Sequence, residues 1–124
     1  MITRIDTTAA PGAVGPYSQA MATGGFVFAS GQLPIDPATK TMPDDVKEQA
    51  AQSLRNVKAI LEAAGTGLDK VLKATVYLAD IKDFPAVNEV YATFFSAPFP
   101  ARSCFAVAAL PLGAKVEVEV IAAR

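Results

Sequence analysis

The sequence predicts an α+β fold: a mixed β-sheet with two helices packed on one face. Three observations carry this. Residues 44–64 repeat apolar side chains at helical spacing, and residues 84–96 do so over a shorter span. The segments 70–79 and 115–122 alternate apolar and polar residues, the pattern of strands with two different faces. The remaining apolar runs are short and bounded by Gly and Pro, which also reads as strand.

In order, Ile2 to Ile5 form a short extended piece, followed by the Gly/Pro-punctuated loop TTAAPGAVGP. Residues 17–22 read as a strand. Gly24-Gly25 is a hairpin signal leading into the apolar strand Phe26-Val27-Phe28-Ala29-Ser30, which ends at Gly31. GQLPIDPATKTMP is a polar, turn-rich excursion. From Asp44 or Asp45 onward, Val46, Ala50, Leu54, Val57, Leu61 and Ala64 mark one face of an amphipathic helix. Acidic residues suit its start, and Gly65 stands where a left-handed cap is wanted. Lys47, Glu48, Gln52, Arg55 and Glu62 fall mainly on the other side, so this helix reads as scaffold.

In KVLKATVYLA, residues 70–79, Leu72, Ala74, Val76 and Leu78 share one face, and Lys73, Thr75 and Tyr77 the other. Asp80 and Asp83 offer N-caps for the second helix, whose first turn tolerates Pro85. Its apolar face carries Val87, Val90 or Tyr91, and Phe94, with Phe95 and Phe99 continuing the aromatic cluster. Pro98 and Pro100 then force an extended approach to a strand over 102–109. After a turn at Pro111 to Gly113 comes the last strand, with Val116, Val118 and Val120 on one face and Lys115, Glu117 and Glu119 on the other. The order is β-β-β-α-β-α-β-β. A sheet covered on one side leaves its other face open, and self-association is the simple way to cover it.

At 124 residues the chain has the length of one domain, 1–124. Twelve acidic and eleven basic residues give a net charge of −1, without the clustered basic field that nucleic-acid binding requires. One cysteine forms no internal disulfide, and the start of the chain lacks an apolar signal core, so a cytoplasmic location is expected. There is no histidine, which removes the commonest general base and metal ligand. Chemistry must rest on carboxylates, Tyr, Ser, Lys, Arg and backbone groups.

Arg102 is the first candidate. It keeps its charge at the mouth of an apolar strand and needs an anion: a protein carboxylate or a ligand's. Residue types alone favour an ion pair with Glu117 or Glu119 across the terminal hairpin. Those two glutamates stand in a strongly apolar strand, where a carboxylate with a raised pKa can serve as general base for water. Cys104 shares the face of Arg102. Proximity to the cation lowers a thiol pKa, but without a histidine partner a small hydrophobe lining a pocket is the better reading. Tyr17 offers a hydroxyl or a packed ring. Ser30 and Gly31 end a strand, where free N–H groups hold an anion or simply turn the chain. Asn88 sits on the second helix, at the surface or facing a ligand.

Taken together, GPYSQA at 15–20, FASGQLPIDP at 28–37, QSLRNVKAILEAAG at 52–65, VNEVYATFF at 87–95 and the C-terminal block PARSCFAVAALPLGAKVEVEVIA resemble the RidA/YjgF family of reactive-intermediate imine/enamine deaminases. The resemblance spans essentially the whole chain, in order and with matching spacing. It implies a chorismate-mutase-like α+β fold assembled as a homotrimer, with clefts between subunits. It also implies hydrolysis of 2-aminoacrylate and 2-aminocrotonate, or their imine tautomers, to 2-keto acids and ammonia. Pyridoxal-phosphate enzymes release these intermediates, and no metal or organic cofactor is needed.

By the same resemblance Arg102 clamps the substrate carboxylate, Glu117 positions or activates the attacking water, and Cys104 lines the pocket. Tyr17, Ser30, Gly31 and Asn88 match other cleft positions. The resemblance thus reverses the lean toward an internal ion pair. Two departures stand out: the linker SAP between Phe95 and Phe99 is short for the family, and the last strand reads VEVEV. Relatives have also been described as translation inhibitors with ribonuclease activity or as chaperone-like, so a non-catalytic or RNA-directed module, or a carboxylate sensor, is the alternative.

Overall fold

A computed structural model describes residues 1–124. The strands are β1 (Thr3–Ile5), β2 (Ala20–Thr23), β3 (Phe26–Ala29), β4 (Val71–Leu78), β5 (Ala101–Ala106) and β6 (Val116–Ala123). The helices are α1 (Val46–Ala63), between β3 and β4, and α2 (Phe84–Phe94), between β4 and β5. The element order matches the sequence reading. The six strands form one sheet in the order β1-β2-β3-β6-β4-β5. Only β4 and β5 pair in parallel; the other neighbours are antiparallel.

That order corrects one expectation. β5 and β6 do not form a terminal hairpin, because β4 lies between them. The helix α2 carries the chain from the end of β4 back to the start of β5, and such a crossover makes the two strands parallel neighbours. The last strand then fills the gap between β3 and β4.

α1 is built as its sequence pattern dictates. The Asp45 side chain accepts from the Glu48 amide at the N-terminus, and Gly65 follows the C-cap with φ +81°, the left-handed conformation a Cβ disfavours. Leu54, Val57, Ile60 and Leu61 are buried, and pack with Val76, Leu78, Val116, Val118 and Val120 from the covered face of the sheet. Fully burying each such side chain contributes roughly 1.5–3 kcal/mol. Gln52, expected on the outer side, is buried and donates to Asn56 Oδ1 at 2.9 Å.

Three strand boundaries and one register differ from the pattern. β2 starts at Ala20 rather than residue 17, leaving Tyr17 in the preceding loop, and β5 ends at Ala106. In β4 the register shifts between Val71 and Lys73, so Leu72 leaves the covered face and is exposed while Val71 is buried. Lys115 lies just before β6 and donates to the Asp44 carbonyl at 2.6 Å, away from the glutamates.

The second face of the sheet carries no helix. Met21, Phe26, Phe28 and Phe105 stand exposed on it, with Tyr77 packed edge-on against Phe105 at 5.4 Å between ring centres. Met21 and Phe28 pair across β2 and β3, and exposed apolar side chains grouped on a sheet face mark an interaction surface.

Candidate functional site

The strand register decides which candidates share a space. Arg102 and Cys104 pair with Ala74 and Val76, both buried on the helix-covered face. Glu117 and Glu119 pair with Tyr77 and Thr75, whose side chains alternate to the open face. Arg102 and Glu117 therefore project from opposite faces of one sheet. Neither glutamate neutralises the arginine within the chain, and the internal ion pair favoured by residue types is absent.

On the open face, a cleft of about 1090 Å³ brings together Tyr17, Ser30, Gly31, Glu117 and Glu119, with the 6–14 loop, residues 32–40 and the turn at Pro111–Leu112 as walls. Glu117 lies hard against Gly31: a Cβ added there would come within 2.5 Å of Glu117 Oε2. Gly31 is required for that close approach. Burial, and the neighbouring Glu119 charge after it, push the Glu117 carboxyl above its ordinary value. Glu119 is held differently, since its Oε1 accepts the Tyr77 hydroxyl hydrogen bond. That bond, with burial, pushes the Tyr77 phenol up to about 12. Both glutamates thus line the cleft, Glu119 tied to the Tyr77 hydroxyl and Glu117 without a hydrogen-bond partner in the chain.

The Ser30 amide donates to the Gln19 carbonyl at 2.9 Å and is not free, contrary to one reading of this strand end. The Gly31 amide has no protein acceptor and remains available to an anion. The Ser30 hydroxyl donates to the Ser18 carbonyl at 2.6 Å, which leaves its oxygen able to accept.

The second group lies on the helix side. Arg102 Nη1 donates to Asn88 Oδ1 at 2.8 Å, and Arg102 Cζ sits 4.7 Å from the Tyr91 ring centre and 5.4 Å from that of Phe84. The remaining guanidinium donors are unpaired, and the side chain is exposed. Cys104 is half-buried, and burial pushes its thiol up more than Arg102 draws it down, so the lowered thiol pKa is not realised. No three Cys, Asp or Glu side chains converge so as to hold a metal ion.

Residues 7–124 match the model of the family described as Endoribonuclease L-PSP, the grouping that contains the RidA/YjgF proteins. The chain belongs to the RidA/YjgF family. It is 57% identical over 122 residues to the RutC family protein y4sK of Sinorhizobium fredii, covering 98% of this chain and 97% of that one. It is 50% identical over 123 residues to the 2-iminobutanoate/2-iminopropanoate deaminase of Salmonella typhimurium, covering 97% and 96%. The crystal structure of Escherichia coli TdcF with bound serine superposes with a TM-score of 0.95 at 49% identity, covering 98% of each chain.

In this RidA/YjgF chain two buried amides, not singled out in the sequence, shape the cleft. Gln19 Oε1 accepts from the Thr7 amide at 2.7 Å, and its Nε2 donates to the carbonyls of Thr7 at 3.0 Å and Pro11 at 2.8 Å, holding the N-terminal wall. Asn56 Nδ2 donates to the carbonyls of Leu33 and Ile35, holding the opposite wall. Gln19 was visible only as part of GPYSQA, and Asn56 only as a polar residue on a helix read as scaffold.

Proposed function

We propose that this chain is a deaminase that hydrolyses 2-imino acids, such as those tautomeric with 2-aminoacrylate and 2-aminocrotonate, to 2-keto acids and ammonia. The proposed site is a cleft between copies of the chain in a homotrimer. One observation carries this reading: an unneutralised arginine and a carboxylate with a raised pKa occupy opposite faces of one sheet. A head-to-tail ring of copies brings the Arg102 side of one subunit to the Glu117 side of the next, once at each interface. The exposed Met21, Phe26, Phe28 and Phe105 supply apolar surface for that association.

Each group then has a role. The Arg102 guanidinium presents a planar fork to the substrate carboxylate. The free Gly31 amide and the Ser30 and Tyr17 hydroxyls line the pocket around the C=N group. Glu117 takes a proton from water as the water oxygen bonds to the iminium carbon, giving a neutral carbinolamine. The protonated Glu117 returns that proton to the amine nitrogen. The C–N bond breaks and ammonia leaves, while Glu117, again a carboxylate, takes the hydroxyl proton as the carbonyl forms and passes it to the departing ammonia to give ammonium. The imine carbon is already electrophilic, so orientation of carboxylate and water supplies much of the acceleration.

The RNA-directed reading has less support. The cleft walls carry Asp6, Glu117 and Glu119 against the single cation Lys40, a poor match for a phosphodiester backbone. To test the deaminase reading, 2-aminoacrylate is generated in place by a dehydratase and pyruvate release is followed. The protein is expected to accelerate release, and Arg102→Ala to lose that acceleration. A wild-type protein without effect overturns the reading.

A further inference from the structure

We propose that the rings of Phe84 and Tyr91 are positioning residues that fix the plane of the Arg102 guanidinium and so set affinity for the substrate carboxylate. This rests on the deaminase reading above. Phe84, Asn88 and Tyr91 are spaced four and three apart on α2 and share one stripe of the helix. All three meet the same guanidinium: Asn88 by a hydrogen bond at 2.8 Å, the rings at 5.4 and 4.7 Å from Cζ.

β5 is an edge strand, and Arg102 on it is exposed. A long side chain in that position loses considerable rotamer freedom when it binds a carboxylate. A hydrogen bond to one nitrogen leaves the group free to swing about that contact. Two ring faces within cation–π distance restrict the swing while leaving the other donors open, which lowers the ordering cost at binding. Tyr91 is itself held firmly, because its ring packs, tilted by 34°, against the buried Phe95 at 4.6 Å between centres and is 5% exposed. Its hydroxyl is buried and has no hydrogen-bond partner. The ring, not the hydroxyl, is therefore the part in use.

The test measures binding of 2-oxobutanoate by calorimetry, together with deaminase kinetics, on the assembled protein. Tyr91→Leu and Phe84→Leu are expected to weaken keto-acid binding and raise KM by about threefold to tenfold, with kcat nearly unchanged. Tyr91→Phe is expected to restore the wild-type values. In an Arg102→Ala background, Phe84→Leu and Tyr91→Leu should cost no further affinity, whereas a general packing defect would still show. Phe84 is only half-buried, so Phe84→Leu decides the matter if Tyr91→Leu does not fold. Wild-type affinity in the leucine variants of an active enzyme, or a Tyr91→Phe variant as weak as Tyr91→Leu, overturns the proposal. A wild-type protein that neither binds the keto acid nor deaminates instead overturns the function beneath it.

Discussion

Arg102 and Glu117 stand on opposite faces of the same sheet, separated in strand order by β4. The consequence is chemical. Each is left without an opposite charge inside its own chain, which leaves both free for the substrate role proposed above. Around Glu117 burial holds the carboxyl pKa above its ordinary value, and around Arg102 the α2 side chains Phe84, Asn88 and Tyr91 pack on the guanidinium.

Replacing Glu117 with Gln separates catalysis from stability. Loss of a general base is expected to lower kcat by about 10²–10⁴-fold. Stability should move the other way. The folded-state pKa of Glu117 lies above its ordinary value, so its favourable contribution is present at low pH and is lost as pH rises through the folded value. At neutral pH the charged, half-buried carboxylate is a cost that Gln removes. Thermal melts should show Glu117→Gln above wild type at neutral pH, with the gap closing in acid. The wild-type kcat/KM should fall on the acid limb at a pH above the ordinary glutamate range.

Gly31→Ala tests the geometry more narrowly. The new Cβ would overlap Glu117 Oε2 and Cδ, at 2.5 and 2.9 Å, and the flexible carboxylate is the part that yields. A displacement of about 1 Å in a reacting group costs up to about 100-fold in rate. Steady-state kinetics should show lower kcat, while the melting temperature changes little because the backbone at Gly31 has no positive φ.

Gln19→Leu should loosen the N-terminal wall. The substitution keeps the volume but strands the Thr7 amide and the Thr7 and Pro11 carbonyls. Leaving a buried group unpaired costs about 1–3 kcal/mol, and these groups are partly buried, so denaturant titration should show a loss within about that range. Hydrogen exchange at Thr7 should rise first, since its protection comes from Gln19.

Much of the fold was legible because it is written in local patterns. The α1 repeat, its Asp45 cap and Gly65 all describe the element that forms, and the alternation in VEVEV places both glutamates on one face. The site was legible as a set of residues but not as an arrangement. β5 and β6 are sequential strands joined by the segment 107–115, and sequential strands usually pair. The signal against pairing was the helix between β4 and β5, which commits those strands to a parallel unit and expels β6 to the other side of β4. Leu72 was misplaced because a bulge leaves no mark in an alternating pattern. Gln19 and Asn56 owe their importance to carbonyls at least eight residues distant, contacts that no local pattern encodes.

The most direct test of a composite site mixes two inactive proteins. Arg102→Ala and Glu117→Gln chains are assayed separately, then co-refolded in equal amounts and assayed again. If each site takes Arg102 from one copy and Glu117 from its neighbour, random assembly restores both groups at about a quarter of the interfaces. Recovery of roughly that fraction of wild-type deaminase activity is the predicted result. Mixed assemblies as inactive as their parents would contradict the account, because both groups would then have to come from one chain.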